Sequence, residues 1–292
     1  MQKLSQKTQG IVYVLIAAFG FSLMSMFVKL AGDLPAFEKA FFRNFVALIF
    51  IVILMLRSRT SFRPERRNLP ALFGRCFFGT LGLLCNFYAI GMLNLPDANM
   101  LNKLSPFFAI LFSIFLLREK PNLVQVLGVL VAFFGSVCII KPSFDNPQML
   151  PALAGALGGL GAGAAYTFVR YLGARGENGS RIVFYFSSFS CLACLPFLLL
   201  DYAPVSARQL VYLLLAGVFA CVGQLGITKA YVCAPAKEIS VYDYTQVLFA
   251  AALGYFAFGE VPDGLSVLGY VLICGAGVGM FLYNRRHGAA HP

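Results

Sequence analysis

The chain has 292 residues, of which 59% are hydrophobic and 12% are charged, and 30 of them are Phe. A soluble protein of this length could not bury so much apolar surface, and apolar runs long enough to cross a bilayer recur along the whole sequence. The formal net charge of +11 does not indicate a nucleic-acid partner, because most Lys and Arg residues lie in short connectors between the apolar runs.

Ten apolar runs of about 20 residues follow one another from the N-terminus to the C-terminus. We place the corresponding transmembrane helices at roughly 10–31, 36–57, 70–92, 97–118, 121–141, 150–172, 181–200, 207–232, 237–259 and 264–284. Pro96 and Pro235 mark tight turns before the fourth and ninth spans. The sequence therefore predicts an all-α polytopic membrane protein with ten transmembrane helices.

The basic residues concentrate on one side of this topology. With the N-terminus inside, the inner connectors hold the arginine-rich segment 57–67 and the pair Arg285 and Arg286, whereas the outer connectors hold little more than Lys141 and Arg208. This bias predicts that both termini are cytoplasmic. The first apolar run is too long for the hydrophobic region of a cleavable signal peptide, so we expect it to remain as a helix. Short connectors of this kind are typical of a bacterial inner (plasma) membrane protein.

A shift of 141 positions brings two halves of the sequence into register. Gly20 falls on Gly161 and Lys29 on Arg170. Further along, a second set of residues falls on its counterpart in the other half, namely Glu119, Pro121 and Gly128 on Glu260, Pro262 and Gly269. We therefore expect two five-helix units, about 1–146 and 147–292. Because each unit has an odd number of spans, the second is inverted relative to the first, an arrangement typical of secondary transporters with a site near the membrane midplane.

Three short segments resemble the EamA-type transporters of the drug/metabolite transporter superfamily. Segments 107–128 and 248–269 each contain a Glu, a Pro two residues later and a Gly seven residues after that, and AFFRNF opens the second span. The segments FGRCFFGTLG and LPDANMLNKLSP are similar to the branch that includes organic-anion and S-adenosylmethionine carriers. The resemblance covers nearly the whole chain and implies ten helices in two repeats that carry a metabolite across the membrane.

Polar side chains at helical spacing mark one face of the fourth span and one face of the ninth. The candidates are Asn99, Asn102 and Lys103 in the fourth span, and Ser240, Tyr242, Asp243, Tyr244 and Gln246 in the ninth. Such groups are costly inside a membrane, by about 2.5–3.5 kcal/mol each for charged ones, and they indicate an interior cavity. The two faces occupy equivalent repeat positions, so we expect them to converge on a substrate site near the midplane.

Lys103 and Asp243 have two interpretations that the sequence leaves open. They bind substrate, or they neutralise each other as a structural pair between helices. Asp243 is the acidic residue well inside a span and is our candidate for proton coupling. The second interpretation is compatible with transport if substrate or a proton competes for the pair.

Several other interior groups are candidates. We assign Arg43, Lys229 and Tyr88 to the wall of the substrate cavity. Arg75 lies near the start of the third span, where we favour snorkelling to the interface over the alternative of a place in the interior with the other cations. Lys29 and Arg170, at the ends of the first and sixth spans, are expected to anchor there too. Close helix packing is predicted at two glycine series, one of Gly155, Gly159 and Gly163, and the other of Gly275, Gly277 and Gly279.

No cofactor or metal site is expected. The spans contain no His, and the CxxC of Cys191 and Cys194 has no further ligands beside it. Residues 159–164 match a nucleotide-binding glycine pattern but have no preceding strand. An intramembrane enzyme is a remote alternative, since the sequence has neither a GxGD partner for Asp243 nor an HExxH motif.

These observations predict an alternating-access secondary transporter of a small polar metabolite. A carboxylate-bearing amino acid or organic anion is favoured, because basic interior residues outnumber Asp243. The alternative is a zwitterionic or cationic metabolite such as S-adenosylmethionine, held by Asp243 and by the rings of Tyr88, Tyr242 and Tyr244. The expected partners are the substrate, membrane lipids and a coupling proton or counter-substrate. A monomer and a homodimer are both compatible with the sequence.

Overall fold

The computed structural model describes residues 6–116, 121–143, 146–200, 202–233 and 240–287. Its helices are α1 (Gln6–Leu30), α2 (Ala36–Arg57), α3 (Leu69–Met92), α4 (Leu95–Asn102), α5 (Ser105–Leu116), α6 (Leu123–Ile140), α7 (Met149–Ala174), α8 (Gly179–Leu200), α9 (Ala207–Cys233), α10 (Thr245–Phe258) and α11 (Gly264–His287). Short 3-10 turns over Arg66–Asn68 and Ser240–Tyr244 precede α3 and α10. The described residues contain no strand, which confirms the predicted all-α class.

Nine stretches of the described chain are long and apolar enough to cross a membrane. One of them, Leu95–Leu116, combines α4 and α5. The remaining predicted span, the ninth (237–259), corresponds to the 3-10 turn and the 14 residues of α10, and its first residues lie outside the described part. The repeated apolar helices agree with the polytopic architecture expected from the sequence.

The fourth span is broken between α4 and α5. Pro106 has no N–H with which to bond the carbonyl of Asn102, and the N–H of Leu104 bonds instead to Leu101 O at 3.2 Å. The equivalent part of the ninth span is also irregular, because the 3-10 turn ends at Tyr244, the repeat counterpart of Lys103. Apolar periodicity predicts continuous helices here, and the structure shows a discontinuity at the same place in each half.

Helix packing follows the symmetry of the sequence repeat. The pair α1 and α9 packs closely, as does its repeat counterpart, the pair α7 and α3. The contact of α1 with α10 is likewise matched by that of α7 with α5. In two further pairs, α2 with α8 and α6 with α11, each helix packs against its own repeat counterpart. Each half therefore packs mainly against the other half, around α4, whose residues Leu95, Ala98 and Leu101 have no exposed surface.

Two glycine pairs allow the closest approaches between the halves. A Cβ placed on Gly161 of α7 would lie 2.7 Å from the Cα of Gly82 in α3, so the two backbones touch. At the repeat-related contact, a Cβ on Gly20 of α1 would lie 3.0 Å from the backbone N of Gly223 in α9. The offset of 141 relates Gly20 to Gly161 and also Gly82 to Gly223, whereas the contacts between these glycines emerge only from the packing.

The two predicted glycine series differ in outcome. Gly155, Gly159 and Gly163 of α7 lie against α4 and α5, and a Cβ on Gly159 would lie 2.6 Å from Leu101 O beside the helix break. Gly277 of α11 packs against the ring of Tyr244. The expectation of close packing at Gly275 and Gly279 is wrong for the described residues, because a Cβ at either position meets none of their atoms within 4 Å.

Candidate functional site

An ion pair joins the two helix discontinuities. The Nζ of Lys103, at the end of α4, donates to Oδ2 of Asp243 in the 3-10 turn before α10. The side chain of Lys103 is 12% exposed and that of Asp243 is 30% exposed, so the carboxylate keeps access to solvent. The pair links one half of the chain to the other at the point where both spans lose regular helical structure.

A layer of neutral polar side chains adjoins this pair. Oδ1 of Asn99 in α4 accepts a hydrogen bond from Nε2 of Gln246 in α10 at 2.8 Å, and its Nδ2 donates to Leu95 O at 2.8 Å. From α1, Ser25 Oγ lies 3.1 Å from Asn99 Oδ1 and Ser22 Oγ lies 2.8 Å from Gln246 O. Asn99 and Gln246 thus hold three helices together in a connected network.

Sequence reasoning included Asn99 and Gln246 and missed Ser22 and Ser25. The available signal was their spacing, since two serines three residues apart in an otherwise apolar helix share one face. Hydroxyls are small enough to be tolerated in such a run, so their presence alone does not indicate a partner.

The other candidates of the fourth and ninth spans have mixed environments. Among the described residues, the half-buried side chain of Asn102 has no hydrogen-bond partner. Tyr244 packs against Gly277, whereas Tyr242 is exposed and its carbonyl accepts a hydrogen bond from Thr245 Oγ1 at 2.6 Å. Ser240 begins the 3-10 turn, and the position of its side chain lies outside what the structure describes.

Arg43, Lys229 and Tyr88 lie on three different helices. Nη1 of Arg43 in α2 donates to Asn44 Oδ1 at 2.7 Å, and its Nε is buried without a hydrogen-bond partner in the described chain. Lys229 is exposed near the end of α9, with its Nζ 5.6 Å from the ring centroid of Tyr13. Tyr88 is half-buried in α3.

Arg75 does not snorkel to the interface, so that expectation is wrong. Its guanidinium stacks on the ring of Phe186 in α8, 4.1 Å from the centroid. The side chain runs along α3 into space left by Gly79, where a Cβ would clash with Nη1. Its Nε and Nη1 are buried and have no hydrogen-bond partner among the described residues. Arg75 therefore belongs to the protein interior, and neither its position in the sequence nor its helix predicts this.

Tyr166 of α7 connects the two charged regions. It lies within electrostatic reach of Asp243, Arg43 and Arg75, which are themselves interior groups. Even so, 56% of its surface is accessible. Tyr166 is therefore a side chain whose electrostatic surroundings include both the Asp243 carboxylate and the two arginines.

A second ion pair closes one end of the helix bundle. Lys29 donates to Oε1 of Glu260 and to Leu93 O, the latter at 2.6 Å, and Oε2 of Glu260 accepts from the N–H of Leu95 at 2.7 Å. The side chains of Lys29 and Glu260 are 14% and 11% exposed, so Lys29 is not the interfacial anchor that we expected. We call these residues the Glu260 cluster. Glu119, the repeat counterpart of Glu260, lies outside the described residues.

Paired helices, matched discontinuities and charged groups between two halves define a membrane transporter. A model of the EamA-like transporter family matches residues 8–141 and again residues 149–282, and the chain belongs to this family. The two matches are offset by the 141 positions of the sequence repeat. The chain is thus an integral multi-pass membrane protein that transports a small metabolite.

Named relatives and a solved structure agree with this assignment. The chain is similar to the pseudopaline exporter CntI of Pseudomonas aeruginosa, with 36% identity over 90% of this chain and 93% of the exporter. It is 27% identical to the riboflavin transporter of Vibrio cholerae over 91% of this chain and 90% of that protein. A crystal structure with 17% identity aligns at a TM-score of 0.65 over 96% of this chain and 98% of its own, which shows a shared fold.

Proposed function

We propose that the protein is a secondary active transporter that moves a carboxylate-bearing organic metabolite by alternating access. Its halves, about 1–146 and 147–292, rock around a site at Lys103 and Asp243. The ion pair between the two helix discontinuities carries this proposal. A pair that spans the interface between the halves is well placed to change when the halves move relative to each other.

Substrate binding and proton uptake are linked at this pair in the proposed cycle. A substrate carboxylate replaces Asp243 as the partner of Lys103, and the released Asp243 takes up a proton. Breaking a buried ion pair without a replacement is strongly unfavourable. The exchange of one carboxylate for another therefore links substrate binding to the protonation of Asp243, while the network of Asn99 and Gln246 holds α4 and α10 in place.

The charge balance favours an anion over a cation. Arg43, Arg75 and Lys103 are interior cations, and of the three only Lys103 is paired with a described carboxylate, that of Asp243. S-adenosylmethionine or another cation would instead replace Lys103 as the partner of Asp243, but Tyr244, one of the rings expected to hold it, packs on Gly277. An intramembrane protease is disfavoured in the same way, since Asp243 is paired with a lysine rather than with a second acid.

The proposed location is the inner membrane of a bacterial cell, with both termini in the cytoplasm. Basic connectors support this orientation, and a bacterial relative at 36% identity supports the choice of membrane. With this orientation the Glu260 cluster lies at the external face, where it closes the bundle in the conformation described.

Thermal unfolding of the purified protein in detergent tests the substrate class. The panel contains amino acids, di- and tricarboxylates, nucleosides, S-adenosylmethionine and quaternary amines. A ligand that binds the folded state raises the unfolding midpoint by an amount that grows with the logarithm of its concentration relative to its dissociation constant. We expect carboxylates to stabilise the wild type and Lys103→Ala to lose that stabilisation, with the exposed Arg208→Ala as control. Stabilisation by cations alone, or by carboxylates equally in Lys103→Ala, would refute the proposal.

A further inference from the structure

Arg43 of α2 and Arg75 of α3 are two like charges in the interior, and both are anchored to α8, the first through Asn44 to Ser190 and the second to Phe186, one helical turn away. Both also lie within electrostatic reach of Tyr166. No described carboxylate neutralises them. The ion pairs of the described chain lie elsewhere, at Lys29–Glu260, Arg67–Glu65, Lys103–Asp243, Lys141–Asp263 and Arg181–Glu177. Two unneutralised guanidinium groups in a membrane protein need a counter-charge.

Neutral side chains hold both guanidinium groups in fixed positions. Arg43 donates to Asn44, whose Nδ2 donates to Ser190 Oγ of α8 at 2.9 Å, and both Asn44 and Ser190 are fully buried. Arg75 is held by its stacking on the ring of Phe186, which also belongs to α8. These supports fix the orientation of the arginines and leave their positive charge free for a ligand.

Unused hydrogen-bond donors point to the same conclusion. Nε of Arg43 and both Nε and Nη1 of Arg75 are buried without an acceptor in the described chain. Buried polar groups in native proteins nearly always have partners, so orphaned donors on a charged group indicate a missing acceptor. A carboxylate supplies two acceptor oxygens in the geometry that a guanidinium matches.

We propose that Arg43 and Arg75 form an anion subsite distinct from the Lys103–Asp243 pair, and that the transported substrate carries at least two carboxylates. One carboxylate binds Lys103 and another binds the arginines. Because Tyr166 is in electrostatic reach of Asp243 and of both arginines, we place the two positions within the span of one small ligand. This inference rests on the proposed transport function and names the substrate class as a di- or tricarboxylate.

The subsite predicts opposite effects on the empty and the liganded protein. Arg75→Met and Arg43→Met keep most of the side-chain volume and remove an unneutralised charge, so the unfolding midpoint of the unliganded protein rises. The same variants bind dicarboxylates at least tenfold more weakly, because the acceptor oxygens lose their charged donors. If the arginines have only a structural role, the Met variants show the reverse: a lower unfolding midpoint and an unchanged affinity for dicarboxylates.

Matched probes separate this inference from the proposed function. Unfolding midpoints are titrated with glutarate against butyrate, phthalate against benzoate, and citrate, for the wild type, Arg43→Met, Arg75→Met, Arg75→Lys and the exposed control Arg208→Met. We expect the dicarboxylate of each pair to bind the wild type more tightly, and both Met variants to lose this advantage. Arg75→Lys keeps the charge and is expected to retain part of it.

Two results overturn the subsite. One is equal affinity of the wild type for each dicarboxylate and its monocarboxylate partner, and the other is an undiminished preference in Arg43→Met and Arg75→Met. If Lys103→Ala still loses carboxylate binding in either case, the proposed transport site stands and only the arginine subsite falls. If Lys103→Ala binds carboxylates like the wild type, the proposed function itself falls.

Discussion

Lys29 and Glu260 are 231 positions apart in the sequence and form a buried ion pair at one end of the helix bundle. Glu260 also accepts the backbone N–H of Leu95 at the start of α4, so one carboxylate ties α1, α4 and the end of α10 together. This contact joins the first half of the chain to the second at a membrane face, whereas Lys103 and Asp243 join them in the interior.

We expect Glu260→Gln to lower the free energy of unfolding by about 3–5 kcal/mol, because it leaves the ammonium of Lys29 buried without its counter-ion. Gln keeps an oxygen that can accept the Leu95 N–H, so the variant isolates the loss of charge. Chemical or thermal unfolding in detergent measures the effect. Lys29→Met combined with Glu260→Gln should recover part of the loss. An effect below about 1 kcal/mol would show that the pair behaves as an exposed one.

The exposed pair of Lys141 and Asp263 gives a pH-dependent contrast. The hydrogen bond from Lys141 holds the pKa of the Asp263 carboxyl below its ordinary value of 3.8. A depressed folded pKa means that the stabilisation is present above the unfolded pKa and is lost as the pH falls through the folded one. Because Asp263 is 57% exposed, we expect Asp263→Asn to cost less than about 1 kcal/mol at neutral pH.

Unfolding midpoints of the wild type and Asp263→Asn, measured from neutral pH down to about pH 3, check this prediction. The small difference between the two proteins should shrink as the pH decreases. A difference that grows toward acid pH would mean that the carboxylate is not stabilised by Lys141.

Asn99 and Asn102 offer a matched comparison within α4. Asn99→Leu removes the acceptor of Gln246 Nε2 and leaves that buried donor unsatisfied, at a cost of about 1–3 kcal/mol. Asn102→Leu, one turn away, removes an amide without a described partner and should change stability little. Comparison of the two free energies of unfolding tests the network directly. Equal losses would mean that the Asn99 hydrogen bonds do not stabilise the fold.

Gly159 and Gly173 provide a second matched pair, on α7. A methyl group on Gly159 would lie 2.6 Å from Leu101 O, so Gly159→Ala must push α7 away from the break between α4 and α5. A methyl group on Gly173 meets nothing within 4 Å. We expect a loss of about 1–3 kcal/mol for Gly159→Ala, accompanied by slower transport, and no loss for Gly173→Ala. Wild-type flux in Gly159→Ala would show that the break tolerates displacement.

Local patterns were sufficient to predict the spans and the repeat. Apolar run length gives the helices, and an offset of 141 relates Gly20 to Gly161 and the two discontinuous spans to each other. The break between α4 and α5 could have been predicted from the sequence, since Pro106 has no N–H for a helical hydrogen bond. Pairing of Lys103 with Asp243 could be stated only as one of two alternatives, because side-chain distances between helices depend on packing.

The orientation of the Arg75 side chain could not be predicted from the sequence. A long side chain on a helix normally points toward the N-terminal end, which at Arg75 is the nearby interface. The structure turns it the other way because Gly79 leaves space along α3 and because α8 brings Phe186 against the guanidinium. Both causes come from the packing of two helices that are distant in sequence. The partners of Lys29 and the hydrogen bonds of Ser22 and Ser25 likewise depend on the packing of helices that are distant in sequence.

Transport by the reconstituted protein tests the central claim, that the pair of Lys103 and Asp243 couples substrate to protons. The wild type, Asp243→Asn and Lys103→Ala are placed in liposomes, with Arg208→Ala as control. Two fluxes are measured for the carboxylate that stabilises the purified protein most. One is exchange at equal pH on both sides, and the other is accumulation driven by a pH gradient. We predict that Asp243→Asn retains exchange and loses accumulation, and that Lys103→Ala loses both. Accumulation that persists in Asp243→Asn would contradict the account.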